Sequence, residues 1–476
     1  MNDKIITRIA PSPTGFLHIG TARTALFNFL FSRKNKGTFL LRIEDTDKER
    51  STKDFEEDIL KYMAWLGINW DNKVVIHQSE NEAIYEKYLK DMIEKGFAYV
   101  SKDEETKPIP IEGHGLATTA ERRTEVIRFK NPNTKIKFQD IIRGDVEFDT
   151  TELGDFVIAK SMQEPLYHLA VVVDDFLAGV THIIRGEDGI SNTPRQILIQ
   201  EAIGAPSPLY AHLPLILAQD RSKLSKRHGA VSIAEYEKMG YLPSAIINYL
   251  ALLGWNPGGE QEIFSLEELV AQFDLTRVQK GGAIFNIEKL DWINKEHMKK
   301  LSSDIIMHNI EERISNFQPA RMTEASRSGG FPISNKRLIN KIVPIIFDRI
   351  SKWGDIDFLI DNGEVKYFFE KPEYENDKLV WKSLKDNVDK WNIIKNHLEQ
   401  VRNILSEISD ADFESADKIK EIVWPYADKN GRGEVLWPMR VSLSGLDKSP
   451  DPFILVSIFG KKETIERIEN AILKLK

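Results

Sequence analysis

The chain opens on a short apolar run, Ile5–Ala10, that predicts a buried strand. A rigid turn follows, Pro11-Ser12-Pro13-Thr14-Gly15. From Gly20 the residues Ala22, Leu26, Phe29 and Leu30 recur at three- and four-residue spacing, which predicts a helix. Phe39–Ile43 predicts a second strand, ending at Glu44-Asp45-Thr46-Asp47. Helices are expected over 52–65 and 81–95, the latter stopped by Gly96. Strand, helix, strand, helix at these lengths predicts a parallel α/β sheet.

The pattern changes between about Ala98 and Leu166. A polar, proline-containing stretch (101–110) precedes short strand-like runs at Glu125–Phe129, Ile136–Phe138, Val146–Phe148 and Phe156–Ala159. This reads as an insertion into the sheet. The α/β pattern resumes with strands expected at Tyr167–Val173 and Thr181–Ile184. Asn192-Thr193-Pro194 is expected to cap a helix, with proline at its first position, that stops at Gly204. Past about residue 236 the pattern is mainly helical, as in Ala245–Leu253 and Ser265–Phe273. Residues 318–332 read as a linker or surface loop. Amphipathic helices follow from 335, with a loop at Lys448–Pro452. There is no internal repeat and no low-complexity tract.

Composition narrows this frame. A length of 476 residues suits two to four domains. With 41% hydrophobic and 29% charged residues, the chain has material for real cores. No apolar run approaches the length that spans a bilayer. No charged-then-apolar leader follows Met1, so cytoplasmic residence without a membrane partner is expected. The lack of cysteine removes disulfides, thiolate nucleophiles and cysteine-bound zinc. The ten histidines are scattered, so no structural metal site is expected. A net charge of −8 argues against a nonspecific nucleic-acid coat, yet leaves room for a specific RNA partner held by one basic face.

Two strings carry chemistry. Pro11–Gly20 reads PSPTGFLHIG, between the first strand and the first helix. The opening helix offers unpaired N–H groups and a positive dipole end suited to phosphate. Gly20 lets a nucleotide approach the backbone, and His18 can donate to a phosphate or leaving oxygen. Residue by residue, an ordinary turn with a capping histidine explains as much; the whole string is too specific for that. The second string is Lys223-Leu224-Ser225-Lys226-Arg227, after Asp220-Arg221-Ser222. Its lysines can grip the charge that builds on a leaving pyrophosphate. Alone, it reads equally well as a solvated basic turn.

Together the strings resemble the HIGH and KMSKS signatures of class I aminoacyl-tRNA synthetases. The wider strings RIAPSPTGFLHIGTARTALFNFL, LLRIEDTDKERS, VVVDDFLAGVTHIIRGEDGISNTPRQ and KLSKRHGAVS are similar to bacterial glutamyl-tRNA synthetases. That likeness runs from about residue 4 to 300, and GRGEVLWPMRVSLSG (Gly431–Gly445) extends it. The resemblance implies a multidomain fold. A Rossmann-type α/β catalytic domain would cover 1–97 and 167–235, interrupted at 98–166 by an α+β insertion that binds the tRNA acceptor end. A stem-contact region would follow at 236–315, and a helical anticodon-binding domain at 316–476. Several relatives hold zinc at the start of the insertion; the matching stretch 99–123 has no cysteine, so a zinc-free insertion is expected.

The resemblance also assigns residues. His18, Lys223 and Lys226 would act on the triphosphate, with Gly20 and Ser225 also in the ATP site. Arg8, Ser12, Glu44, Tyr167 and Arg185 would hold glutamate, and Asp188 would add a contact. Two arginines suit a substrate with two carboxylates. Glu44, at the end of a strand, can take the ammonium, and Tyr167 is a donor at the start of another strand. Plain structural roles compete: Arg8 paired with a nearby aspartate, Glu44 as a helix-entry acid, Tyr167 in the core. Some members carry asparagine at the position of Val171, so a polar contact is missing here or replaced by water. Asp174-Asp175 and Asp45/Asp47 tempt one toward a metal or acid–base pair, but are read as structural or tRNA-facing.

The implied reaction has two steps. The α-carboxylate of glutamate attacks the α-phosphorus of ATP, with Mg²⁺ shielding the phosphates. A hydroxyl of the terminal adenosine of the tRNA then takes the activated acyl group. The family requires tRNA to bind before glutamate is activated, and a monomer is expected. Rival readings are a relaxed enzyme that also charges glutamine tRNA with glutamate, and a dead paralogue that only binds tRNA. The presence of His18, Lys226 and Arg8 disfavours the dead paralogue.

Overall fold

β1 (Ile6–Ile9) pairs in parallel with β2 (Thr38–Ile43), and α1 (Ile19–Lys34) crosses between them. Parallel neighbours need such a crossover, whose helix covers one sheet face. In this computed structural model the described residues are 4–102, 125–225, 227, 232–316 and 336–475. Lys226 and the expected linker at 318–332 lie outside them. α2 (Lys53–Trp65) starts where the Thr52 hydroxyl accepts from the N–H of Phe55. β3 (Ile76–His77) adds to β2 in parallel, and α3 (Glu82–Glu94) runs out toward Gly96, at φ 77°.

The inserted stretch supplies β4 (Ala98–Lys102), β5 (Glu125–Phe129), β6 (Lys135–Asp140), β7 (Gly144–Asp149), β8 (Phe156–Ser161) and β9 (Glu164–Pro165). These divide between two sheets, which local patterning does not foretell. Strands β4, β5, β8 and β9 form an antiparallel sheet of their own. The β6–β7 hairpin instead extends the α/β sheet, with Asp140 opposite Tyr210.

α4 (Tyr167–Leu177) is a helix, which corrects the strand expected at Tyr167–Val173. Leu169 through Asp175 are all buried, so the run lacks the one-sided pattern that tells helix from strand. Its three consecutive valines favour the wrong choice, and packing against α3 overrides them. β10 (His182–Gly186) follows, then α5 (Thr193–Ile203) and β11 (Leu209–Leu213), parallel to β10. Asn192 does not cap α5 with its side chain. A 3₁₀ turn over Glu187–Asn192 runs straight into the helix, and Asn192 is already helical at φ −83°. The stop at Gly204 is left-handed, at φ 71°. The Thr181 N–H donates to the Ile6 carbonyl at 3.0 Å, setting β10 beside β1.

β12 (Ile216–Leu217) pairs with β13 (Ala283–Ile284), and α6 (Ile233–Lys238), α7 (Pro243–Leu252), α8 (Leu266–Gln272) and α9 (Ile287–Met298) complete this part. Capping boxes start α6 and α8, at Ser232/Glu235 and Ser265/Glu268. One apolar core joins α1 and β2 to α7 and α8 through Leu26, Phe27, Phe39, Leu250 and Phe273.

The chain falls into two compact units, Met1–His297 and Met298–Lys476. The second contains α10 (Ser303–Asn316), α11 (Lys336–Arg349), α12 (Asp355–Asp361), α13 (Lys390–Glu407), α14 (Ala416–Asn430), α15 (Arg432–Ser444) and α16 (Pro452–Lys474). It has no strand among the described residues. Its centre packs α13, α14, α15 and α16 together, with Ile394, Leu398, Val401 and Leu405 buried at helical spacing. No helix of the described residues is long and apolar enough to cross a membrane.

Candidate active site

Strand register sets charged side chains together at the carboxyl ends of β1, β2 and β10. Arg8 lies opposite Leu40, so Arg42 and Glu44, two and four residues further, share its face. Arg8 Nε donates to the Asp175 carboxylate at 3.0 and 3.2 Å. Arg42 donates to the same carboxylate at 2.6 Å and to Glu44 at 3.0 Å. Asp174 lies 3.7 Å from Arg42 Nε and accepts from Gln78, Asn81 and Tyr85. Burial works to raise Asp175, yet Arg8 and Arg42 hold its carboxyl below the usual range. Burial raises Glu44, with Arg42 pulling back.

Asp174 and Asp175 are therefore buried partners of arginine. Arg42 is the piece that sequence reasoning missed: it ties both acids to Glu44. The competing role for Arg8, a pairing with aspartate, is real but uses Nε alone. The terminal guanidinium nitrogens of Arg8 make no hydrogen bond among the described residues.

The Pro11–Gly15 turn is stitched to this cluster. The Ser12 hydroxyl donates to the Glu44 carbonyl at 2.9 Å, and the Glu44 N–H donates to the Pro11 carbonyl at 3.0 Å. Tyr167 opens α4 and is 40% exposed, so it is not a core residue. Desolvation by the surrounding protein raises the phenol, Arg185 draws it down and Glu44 pushes it up. Arg185 is buried on β10, its Nη2 donating to the Thr193 hydroxyl at 2.7 Å. Val171 is buried in α4, one turn from Tyr167.

A second group of residues is built around His18. It caps α1 from an extended backbone (φ −101°, ψ 162°), its Nδ1 accepting from the Thr21 N–H at 3.2 Å. An accepting Nδ1 puts the ring proton on Nε2. Crowding by protein, then the charge of Lys223, lowers the pKa of His18, against a smaller pull from Asp188. A Cβ on Gly20 would fall 3.0 Å from His18 Cε1, so that glycine leaves the ring its place.

Lys223 arrives on a hairpin return. Leu217 and Lys223 form an antiparallel bridge, and the Leu224 N–H donates to the Ile216 carbonyl at 3.0 Å. Asp220 holds the turn by accepting from the Ser222 N–H and hydroxyl, and Arg221 sits at φ 64°. Lys223 Nζ lies 3.4 Å from Asp188. Further along the chain, Ser232 bridges to His18, and the Ile233 N–H donates to the Leu17 carbonyl at 2.8 Å. The residues that follow the KLSKR string thus lie against His18 and its neighbour Leu17. Ser225 is half-buried.

Among the described residues, no three His, Asp or Glu side chains cluster as a metal site. Most of the stretch 99–123, where zinc is held in several relatives, lies outside the described residues, from 103 onward.

A parallel sheet with charges at its strand ends, a PSPTGFLHIG helix entry and a hairpin that carries Lys223 are the features of a class I aminoacyl-tRNA synthetase. The family description "tRNA synthetases class I (E and Q), catalytic domain" matches residues 4–108 and 114–292, and "Anticodon binding domain" matches 309–472. The chain is 39% identical to a glutamate–tRNA ligase of Aquifex aeolicus, over 99% of each chain. It is 38% identical to one of Carboxydothermus hydrogenoformans, over 97% of this chain and 98% of that one. A crystal structure of a glutamate tRNA ligase from Elizabethkingia meningosepticum, in complex with its amino acid, superposes with a TM-score of 0.81 at 31% identity, covering 99% of this chain and 100% of that one. The chain belongs to the glutamate–tRNA ligase family.

Proposed function

We propose that this chain activates L-glutamate with ATP and transfers it to the terminal adenosine of glutamate tRNA, using the strand-end charges and the residues around His18. The observation that carries the reading is the pair of arginines, Arg8 and Arg185. Each keeps guanidinium N–H groups without a protein partner among the described residues. A substrate with two carboxylates answers two such groups. Glu44 takes the α-ammonium, Ser12 shapes the turn beside it, and Tyr167 adds a hydroxyl donor. Glutamine is rejected because its neutral amide would leave a buried cation without its anion.

In activation the substrate carboxylate is the nucleophile, so the protein aligns and stabilises charge without a base of its own. His18, neutral with its proton on Nε2, donates to the phosphate. Lys223 and Lys226 follow the charge onto the departing pyrophosphate, with Gly20 and Ser225 lining the nucleotide site and Asp188 holding Lys223. Mg²⁺ would be carried on the ATP phosphates, because no carboxylate cluster of the described residues offers it a cage. Residues 98–166 would meet the acceptor end, 236–315 the inside of the tRNA, and 316–476 the anticodon. We place the enzyme in the cytoplasm as a monomer specific for glutamate tRNA.

The test is charging of purified glutamate and glutamine tRNAs with labelled glutamate and ATP. Label on glutamate tRNA alone is expected. Label on both tRNAs would break the strict specificity, and label on neither would break the enzyme reading.

A further inference from the structure

A buried polar ladder crosses three strands. Arg185 on β10 and His212 on β11 are register partners, and Arg185 Nε donates to His212 Nε2 at 3.1 Å. His212 Nδ1 faces Asp140 Oδ2, at the end of β6, at 2.6 Å, and neither side chain is open to solvent. Asp140 also accepts from the backbone N–H groups of Ile142, Arg143 and His212. Arg143, next in that turn, donates to the His212 carbonyl at 3.2 Å and pairs with Glu187. At the other end of the ladder, Nη1 of Arg185 is buried and has no hydrogen-bond partner.

The directions of these bonds are forced. A guanidinium only donates, so His212 Nε2 must offer a lone pair, and the ring proton must sit on Nδ1 facing the carboxylate. A doubly protonated ring could not accept from Arg185; burial disfavours that form, outweighing the help Asp140 gives it. With Nε held by His212 and Nη2 by Thr193, the guanidinium plane is fixed and Nη1 is left over.

We infer that Asp140 and His212 are positioning residues for the amino-acid substrate: Asp140 selects the tautomer of His212, which orients Arg185 so that Nη1 is offered to a glutamate carboxylate. This rests on the proposed role of Arg185 in the pocket. Asp140 belongs to the inserted stretch, so the insertion contributes to amino-acid selection as well as to the sheet.

The test is steady-state charging with two variants of different design. In His212→Asn the amide nitrogen can still donate to Asp140, but nothing accepts from Arg185 Nε, and only Thr193 still holds the guanidinium. In His212→Gln the amide oxygen reaches the place of Nε2 and accepts. Asn is expected to raise the glutamate KM about tenfold with kcat at saturation nearly unchanged, and Gln to restore most of it. In an Arg185→Ala background, His212→Asn should change nothing further. Should Asn compromise folding, Asp140→Asn replaces it. That isosteric change can present an amide donor and turn the histidine the wrong way, so it should raise KM in the wild type but not beside His212→Gln. If Arg185→Ala raises KM while the ladder variants leave it alone, the relay is wrong and the pocket stands. If Arg185→Ala itself leaves KM unchanged, the pocket role of Arg185 falls. Equal losses from His212→Asn with and without Arg185 would mean ordinary packing and overturn the proposal.

Discussion

At the strand ends, the side chains of Arg8, Arg42, Asp174 and Asp175 are each no more than 6% exposed. Beside His18, by contrast, Lys223 and Asp188 are 65% and 63% exposed and meet at 3.4 Å. Both groups lie in one compact unit, yet they use charge in opposite ways. A dry ion-pair cluster has little freedom, because separating a buried charge from its partner costs several kcal/mol. An exposed pair is worth about 1 kcal/mol or less and reorients readily. In the proposed pocket, rejecting a neutral amide needs a cation that cannot relax toward water, and the strand-end arginines are proposed for that part. In the proposed reaction, following charge onto a leaving pyrophosphate needs cations that can shift, and exposed Lys223 is proposed for that part.

The largest expected effect breaks the buried side. Asp175→Ala strips one carboxylate from two arginines and should cost about 3–5 kcal/mol in chemical denaturation. Asp188→Ala, at the exposed end, should cost less than about 1 kcal/mol. Equal losses would erase the contrast. The pH dependence follows the same line. Asp175 is held below its ordinary value. Its stabilising contribution is therefore complete above the unfolded carboxyl range, near pH 4, and is lost as pH falls through the lowered folded value. A variant without Asp175 should show a shallower acid limb.

Next in size is Arg8→Ala. It should lower kcat/KM for glutamate roughly hundredfold and narrow the preference over glutamine. Unaltered glutamate kinetics would remove Arg8 from the pocket. Lys223→Ala should lower kcat about tenfold while the glutamate KM and the unfolding midpoint hold steady. Lys226→Ala should act in the same direction, depressing activation far more than glutamate binding. A rise in glutamate KM with unchanged turnover would move these lysines from the phosphates to the amino acid.

The contrast was only half legible in the amino-acid sequence. The exposed end is local: PSPTGFLHIG and KLSKR are contiguous, and each turn is specified by its own residues. The buried end depends on register between distant strands. Arg8 within Ile-Thr-Arg-Ile and Arg42 within Leu-Leu-Arg-Ile do carry a signal, since a charge inside an apolar strand must find a partner. Pairing those two arginines with the acids that close Val-Val-Val-Asp-Asp would have found Arg42. The His212 ladder joins residues 72 positions apart and left no local mark. Tyr167–Val173 misled for the related reason that full burial erases periodicity.

The smallest expected effect isolates the ring of His18 from the stability of its helix. In Gly20→Ala the new methyl carbon falls 3.0 Å from His18 Cε1 and 3.1 Å from Nδ1. The ring must give way by a few tenths of an ångström, which strains the 3.2 Å cap to the Thr21 N–H. A weakened cap costs about 1 kcal/mol, and exchanging glycine for alanine inside a helix returns about the same amount. These two terms offset each other, so the unfolding midpoint should stay close to wild type. The displaced Nε2–H has no such compensation. Turnover should fall a few-fold, at unchanged glutamate KM, in a protein of ordinary stability. If turnover is untouched as well, the position of the ring does not limit activation, and the phosphate end tolerates more misalignment than a fixed donor would.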